Sequence, residues 1–208
     1  GALVRFLLKL RKSSWVTVNR NQKGIWPTGI SASFIPNPVA VPNLDSSDKE
    51  NRFVFIGRLR PEKGIEGILE AVSRSDSRID VFGSGKLEEE LKAKFSRSAD
   101  FHGFIDNPWE KINRIQTLIV ASEYEGDGIV IVEAIIAGMP LLLLDNGDLR
   151  RFQLPEVNYF KDFEVLKRKI EQTKEDLEVF RVTKEKSNEY LVERQIQNIV
   201  SLWINLLR

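Results

Sequence analysis

An alternation of short apolar runs with helix-length segments constrains this chain more than any other feature. Phe53 to Ile56 reads as a buried strand ending at Gly57, and Gly64 to Ser73 as the helix after it. Ile79 to Phe82 repeats the pattern, ending at Gly83 and followed by a helix from Leu87 to Phe95 with an exposed charged face. Phe101 and Phe104 flank a short strand end. Thr117 to Val120 reads as a strand, Gly128 to Ala137 as a helix and Leu141 to Leu144 as a further strand. Strands that are apolar throughout, rather than at every second residue, are those buried on both faces by helices in a parallel sheet. Right-handed crossovers then predict an α/β fold with a Rossmann-like, doubly wound parallel sheet. From Phe163 to Arg208 the chain is rich in Lys and Glu, with one apolar stripe ending at Leu202, Trp203 and Leu206; this predicts a helical C-terminal tail.

The first fifty residues are less regular. Trp15 to Val18 is β-branched and reads as a short strand. Thr28 to Pro42 holds three prolines and reads as an extended crossing segment. Asn43 to Asn51 is polar without periodicity, which predicts a surface loop. Leu3 to Arg11 (LVRFLLKLR) is too short and too charged for a spanning helix. A helix end packed on a neighbouring domain is the favoured reading, and contact with a membrane surface the other.

Composition removes several function classes. The 208 residues suffice for one α/β domain with some extra elements. Basic and acidic residues number 31 and 30, so the net charge of +1 gives no electrostatic support for nucleic-acid binding. No cysteine is present, which excludes disulfides and thiolate metal sites and suits a cytoplasmic location. The single histidine, His102, argues against a histidine-built metal site and is expected to be packed or capped.

In a doubly wound sheet, ligands bind beyond the carboxyl ends of the strands. The residues there are Gly57-Arg58, Gly83-Ser84-Gly85, Gly103-Phe104 and Glu123 to Gly128. The glycines let a ligand approach the backbone. Arg58 offers a planar fork for phosphate oxygens and Lys63 a second positive charge, a pairing that suits a diphosphate. Taken singly, Arg58 reads more readily as a surface partner of Glu62, and Lys63 as a solvated helix-start residue. Glu133 lies within GIVIVEAIIAG, apolar on nearly every side. A carboxylate there is costly unless paired, and a ribose diol would supply two donors; an internal partner is the alternative. Glu125 precedes it by eight residues, in a loop whose Gly126 and Gly128 expose backbone N–H groups near the positive end of a helix dipole. Two carboxylates also invite a hydrolase reading, but one sits in a loop and the other inside an apolar helix, which argues against it.

Glu125 to Ala134 (EGDGIVIVEA), followed by Ala137-Gly138-Met139-Pro140, resembles the E-x7-E signature of retaining GT-B glycosyltransferases, the family of sucrose synthase, mannosyltransferases and bacterial polysaccharide transferases. Phe55 to Gly64 (FIGRLRPEKG), Gly83-Ser84-Gly85, Phe101-His102-Gly103-Phe104 and Ile35-Pro36-Asn37-Pro38 are similar to further segments of that family, in the same order. The resemblance runs from Ile35 to Pro140. It implies a C-terminal donor-binding domain over residues 35–160, preceded by a remnant of, or linker from, an N-terminal acceptor domain (1–34). C-terminal helices (161–208) would pack on the domain and cross back to its N-terminal partner. Arg58 and Lys63 would hold the diphosphate of a nucleotide sugar, with UDP the expected nucleotide. Glu133 would bind the ribose, Glu125 the transferred sugar, and the backbone of Gly126, Asp127 and Gly128 the sugar and distal phosphate. Gly57 and Gly83 would line the site, and the Phe104 neighbourhood the base. No nucleophile is assignable, and no metal or other cofactor is expected, because two cations stand at the diphosphate. The acceptor would be a glycan or lipid-linked molecule bound mainly by the missing domain, with turnover in the cytoplasm, free or at the inner face of the membrane. This fragment would be inactive by itself. A non-catalytic nucleotide-sugar-binding module is the alternative. Two departures stand out: Asp127 replaces a large apolar residue, and Ala121-Ser122 replaces Pro-Ser.

Overall fold

The computed structural model describes residues 15–18, 32–39, 42, 44–112 and 114–207. Leu3 to Arg11 lies outside them. Two short parallel strands, β1 (Trp15–Thr17) and β2 (Ala32–Phe34), pair with each other. The main sheet comprises β3 (Asp45–Ile56), β4 (Ile79–Phe82), β5 (Ala99–Gly103), β6 (Arg114–Val120), β7 (Leu141–Leu144) and β8 (Tyr159–Phe160). Its order is β5-β4-β3-β6-β7-β8, and every neighbouring pair is parallel. The chain therefore winds outward from β3 in one direction and then, from β6, in the other. The reversal between β3 and β6 is where such a sheet opens a crevice at its carboxyl edge.

Alternation within the strands sends side chains to two cores. Phe53, Phe55, Ile79 and Val81 pack with α1 (Ile65–Arg74), α2 (Glu88–Phe95) and α4 (Phe163–Glu175) on one face. Val54, Phe82, Leu118 and Leu141 pack with α3 (Ile129–Ile136) on the other, where α5 (Lys184–Arg194) adds Tyr190 and Leu191. Burial on both sides is why these strands are apolar at most positions, with Asp80, Gln116 and Thr117 the buried polar exceptions.

Two expectations need correction. Asn43 to Asn51 is not simply a loop: β3 begins at Asp45 and pairs with β6 through register shifts near Lys49 and Phe53. A strand is held by its backbone ladder, so a polar stretch with no alternation can extend one when a neighbour is in place. The Thr28–Pro42 crossing likewise contains a paired strand at Ala32–Phe34, with Ile35 donating onward to the Thr17 carbonyl. The tail is helical but broken. Asp162 and Thr183 cap α4 and α5, and Asp176 caps a 3-10 turn at Leu177–Phe180. In the last helix, α6 (Ile196–Leu207), Ile199 is buried, whereas Ile196, Val200, Leu202 and Trp203 face outward. No helix among the described residues is long and apolar enough to cross a membrane.

Candidate functional site

The carboxyl ends of the central strands are drawn together by backbone contacts. Gly57 N donates to Phe82 O at 2.9 Å, and Gly83 N to Gly103 O at 2.7 Å. Gly83 adopts φ 135°, and a Cβ there would lie 1.9 Å from the Gly57 carbonyl oxygen, so only glycine fits. Two recesses open over this edge, of about 410 and 400 Å³. Both volumes fall in the range of small-molecule sites. They share Ile56, Gly57, Arg58, Ile129 and Val130 as a common wall.

The first recess is largely apolar. Phe82, Phe104 and Trp109 line it, with Glu133 projecting from α3. Phe104 is 73% exposed and stands at the mouth. Trp109 is buried, and its Nε1 donates to Glu133 Oε2 at 2.9 Å. Burial pushes the Glu133 carboxyl above its ordinary value, and the indole hydrogen bond opposes that rise only in part. The carboxylate thus has an internal partner and also faces the recess.

The second recess is charged. Lys63 ends the 3-10 turn Pro61–Lys63 and donates from Nζ to Glu125 Oε1 at 2.5 Å. Ser122 Oγ donates to the same oxygen at 2.6 Å. Gly128, at φ 72°, opens α3 without a side-chain cap, and a Cβ there would lie 2.7 Å from Phe152. The N–H groups of that first turn are therefore not taken up by a capping side chain. Asp127 also borders this recess, but its carboxylate is turned inward. Arg194 grips it with Nη1 at 2.6 Å and Nη2 at 2.7 Å, and Asn37 donates to it from Nδ2 at 2.9 Å. Only the backbone of Asp127 is left for a ligand.

Arg58 borders both recesses and is exposed. Its carbonyl accepts from Arg60 N at 3.0 Å, but its guanidinium has no ion-pair or hydrogen-bond partner among the described residues. The ion pair expected with Glu62 is instead a long one to Arg60, at 3.9 Å. His102 is exposed but partnered: it stacks on Phe82 at 4.4 Å between ring centroids and bonds Asp80 at 2.8 Å. No group of three metal-ligating side chains is found among the described residues.

Residues 40–190 match the family described as "Glycosyl transferases group 1". The chain belongs to this family. It is 30% identical over 127 residues to "Uncharacterized glycosyltransferase MJ1607" of Methanocaldococcus jannaschii, covering 56% of this chain and 33% of that protein. It is 27% identical over 142 residues to the lipopolysaccharide 1,6-galactosyltransferase of Salmonella typhimurium, covering 58% and 39% respectively. This glycosyl transferase chain therefore spans little more than a third of the length of those relatives. Its fold matches that of a Staphylococcus aureus TarM variant solved with fondaparinux, α-GlcNAc-glycerol and UDP, with a TM-score of 0.78, 17% identity, and coverage of 93% of this chain and 43% of that one.

Sequence reasoning missed part of the site of this group 1 glycosyl transferase. Trp109 was passed over because nothing local marks an indole as the partner of a carboxylate 24 residues away. The run Asp145 to Phe152 after β7 was also passed over. Applying the strand-end rule to β7 would have found it, since Asn146, Asp148 and Arg151 all reach the Glu125 loop.

Proposed function

We propose that the two recesses are the halves of a donor site for a nucleotide diphosphate sugar. The nucleoside occupies the Trp109–Glu133 recess, with its ribose diol on the free edge of the Glu133 carboxylate. The sugar occupies the Lys63–Glu125 recess, against Glu125 and the backbone of Gly126 to Gly128. The diphosphate bridges them at Arg58. The single observation that carries this reading is the position of Arg58: a guanidinium on the wall common to both recesses, with no internal partner among the described residues. A planar fork in that place is matched by phosphate oxygens.

The reaction follows from charge. The bond between the sugar's anomeric carbon and the diphosphate oxygen breaks, its electron pair leaves with the diphosphate, and an acceptor hydroxyl supplies the new bond and passes its proton to the departing diphosphate. Arg58, Lys63 and the N-terminus of α3 stabilise the growing negative charge on the leaving group. Two side-chain cations at the diphosphate make a metal unnecessary in this scheme. Retention of anomeric configuration is part of the proposal and is what the resemblance of the Glu125–Glu133 segment to the E-x7-E signature implies. UDP is the proposed nucleotide, supported by its presence with the TarM variant. The Salmonella lipopolysaccharide galactosyltransferase supports a glycan or lipid-linked acceptor. Residues 35–160 are the donor domain, and residues 1–34 lead from an acceptor-binding partner domain. The outward-facing Ile196, Val200 and Trp203 of α6 suit helices 161–208 crossing back to that partner. By itself the chain binds donor and transfers nothing.

Calorimetric titration of this chain with UDP, UDP-sugars, GDP-sugars and ADP-sugars tests the reading. Saturable binding of a UDP-sugar, weakened in Arg58→Ala, is the expected result. Affinity for a nucleotide sugar that is the same in wild type and Arg58→Ala would remove Arg58 from the diphosphate.

A further inference from the structure

The segment from Ser122 to Asp127 joins β6 to α3, and no helix or strand ladder holds its backbone. The Glu123 amide donates to the Glu62 carbonyl at 3.0 Å, and the Ser122, Glu125 and Gly126 backbone groups are met by side chains from one neighbouring stretch, Asn146 to Arg151. Asp148 accepts from the Glu125 amide through Oδ2 and from Arg151 Nη1 through Oδ1, the latter at 2.5 Å. Arg151 donates from Nη1 to the Glu125 carbonyl at 3.2 Å and from Nη2 to the Gly126 carbonyl at 3.1 Å. Asn146 Nδ2 reaches the Ser122 carbonyl at 2.9 Å. The Arg151 guanidinium lies 4.7 Å from the Phe152 ring centroid, and a Cβ on Gly128 would come within 3.2 Å of its Nη2. Its side chain is only 11% exposed. An arginine so enclosed, with its donors aimed at consecutive carbonyls, fixes backbone position more tightly than a point charge would.

We propose that Asp148 and Arg151 are positioning residues for the donor sugar, forming a clasp that sets the backbone of Glu125 to Gly128. This rests on the donor-site reading above. Arg151 and Asp148 line neither recess, so they act through the loop and not on the ligand. The clasp has no contact with Glu133, Trp109 or Phe104 among the bonds described. Its loss therefore loosens the sugar half of the site and leaves the nucleoside half as it was. A residue that merely stabilised the fold would affect both halves alike.

Two measurements on this chain test the proposal, using Arg151→Gln, Arg151→Lys and Asp148→Asn. Calorimetry compares UDP with UDP-glucose, UDP-galactose and UDP-N-acetylglucosamine, with Glu133→Gln as the control for the nucleoside half. Arg151→Gln and Asp148→Asn are expected to keep UDP affinity within about twofold while losing about tenfold in preference for the intact donor, the loss expected when one or two charged hydrogen bonds disappear. Arg151→Lys, which keeps the charge without the fork, should fall between. Amide hydrogen exchange on the empty protein should be faster from Glu125 to Gly128 in Arg151→Gln and unchanged in β6. Equal losses for UDP and UDP-sugar, or loop exchange unchanged from wild type, overturn the clasp. If Arg151→Gln does not fold, Asp148→Asn and Arg151→Lys decide by the same two criteria. Wild-type protein that binds none of these nucleotides overturns the donor-site reading and the sugar role together, while exchange still decides whether the clasp holds the loop.

Discussion

The two recesses differ in how their charged groups are satisfied. On the nucleoside side, Glu133 stands among Phe82, Trp109 and Ile129 with one indole donor, and burial holds its carboxyl above the ordinary value. On the sugar side, Lys63, Glu125, Asp127, Asp148 and Arg151 are all in ion pairs within the protein. A desolvated carboxylate with spare hydrogen-bonding capacity is a cost that a ligand can relieve. A network of internal pairs is a frame, rigid before any ligand arrives. The recess proposed for the nucleoside is thus tuned by what it lacks, and the one proposed for the sugar by what it already has.

The largest expected effect breaks the frame. Arg194 and Asp127 are 5% and 4% exposed, so removing one partner leaves the other charge buried and unpaired. Arg194→Met should destabilise the protein by about 3–5 kcal/mol, and Asp127→Leu combined with Arg194→Met should recover most of that loss. Urea denaturation checks this; a single variant as stable as the double would show that the pair contributes no coupling.

Next come the ligand contacts. Glu133→Gln should weaken UDP and UDP-sugar alike, and Glu125→Gln the UDP-sugar alone, each by about 1–3 kcal/mol. Lys63→Ala and Arg58→Ala should each weaken UDP by about the same amount, since each removes a charged hydrogen bond. The Lys63 change also leaves Glu125 with one partner fewer, so it alone should disturb the sugar half. Side-by-side titrations of UDP and UDP-sugar separate these outcomes, and parallel losses in both glutamate variants would erase the distinction between the halves.

A smaller effect concerns the empty protein. The folded pKa of Glu133 lies above its unfolded value, so its contribution to stability is full at pH below the unfolded value and is lost as pH rises through the folded one. At neutral pH the ionised form is a burden. Glu133→Leu removes it but strands the Trp109 N–H, so net stability should change by no more than about 1 kcal/mol. The acid-side slope in a denaturation series should flatten. A loss of several kcal/mol would mean that Glu133 serves the fold and not a ligand.

The smallest effect sharpens the same point. Trp109→Phe removes the one hydrogen bond that lowers the Glu133 pKa. UDP binding, which needs the ionised carboxylate, should then weaken at a higher pH than in wild type. UDP titrations between pH 4 and pH 8, the span on either side of a raised carboxyl, check the direction. An acid limb at the same pH in both proteins would detach Trp109 from the site.

Much of this was open to reading in one dimension. The runs at Phe53–Ile56, Ile79–Phe82 and Leu141–Leu144 became strands, because a segment buried on both faces is apolar at most positions; Asp80 is tolerated within its run because Arg52 pairs with it. The strand-end rule led to Arg58 and Glu125, with Lys63 a few residues on, since a parallel sheet places its carboxyl ends together whatever the loops contain; Glu133 stood out as a carboxylate inside an apolar helix. Those same residues border the recesses. The start of β3 at Asp45 was not legible, because pairing with β6 holds it and local polarity hides it. Nor was the fate of Asp127. Its sequence position marks it as unusual, but its partner Arg194 lies 67 residues on, and only the docking of α5 against α3 turns an exposed-looking carboxylate into a buried ion pair. Trp109 and the Asp148–Arg151 clasp belong to the same class. Periodicity and strand ends act over a few residues and are written in the chain; which charge meets which across the fold depends on helices packing side by side, and only the tertiary structure decides it.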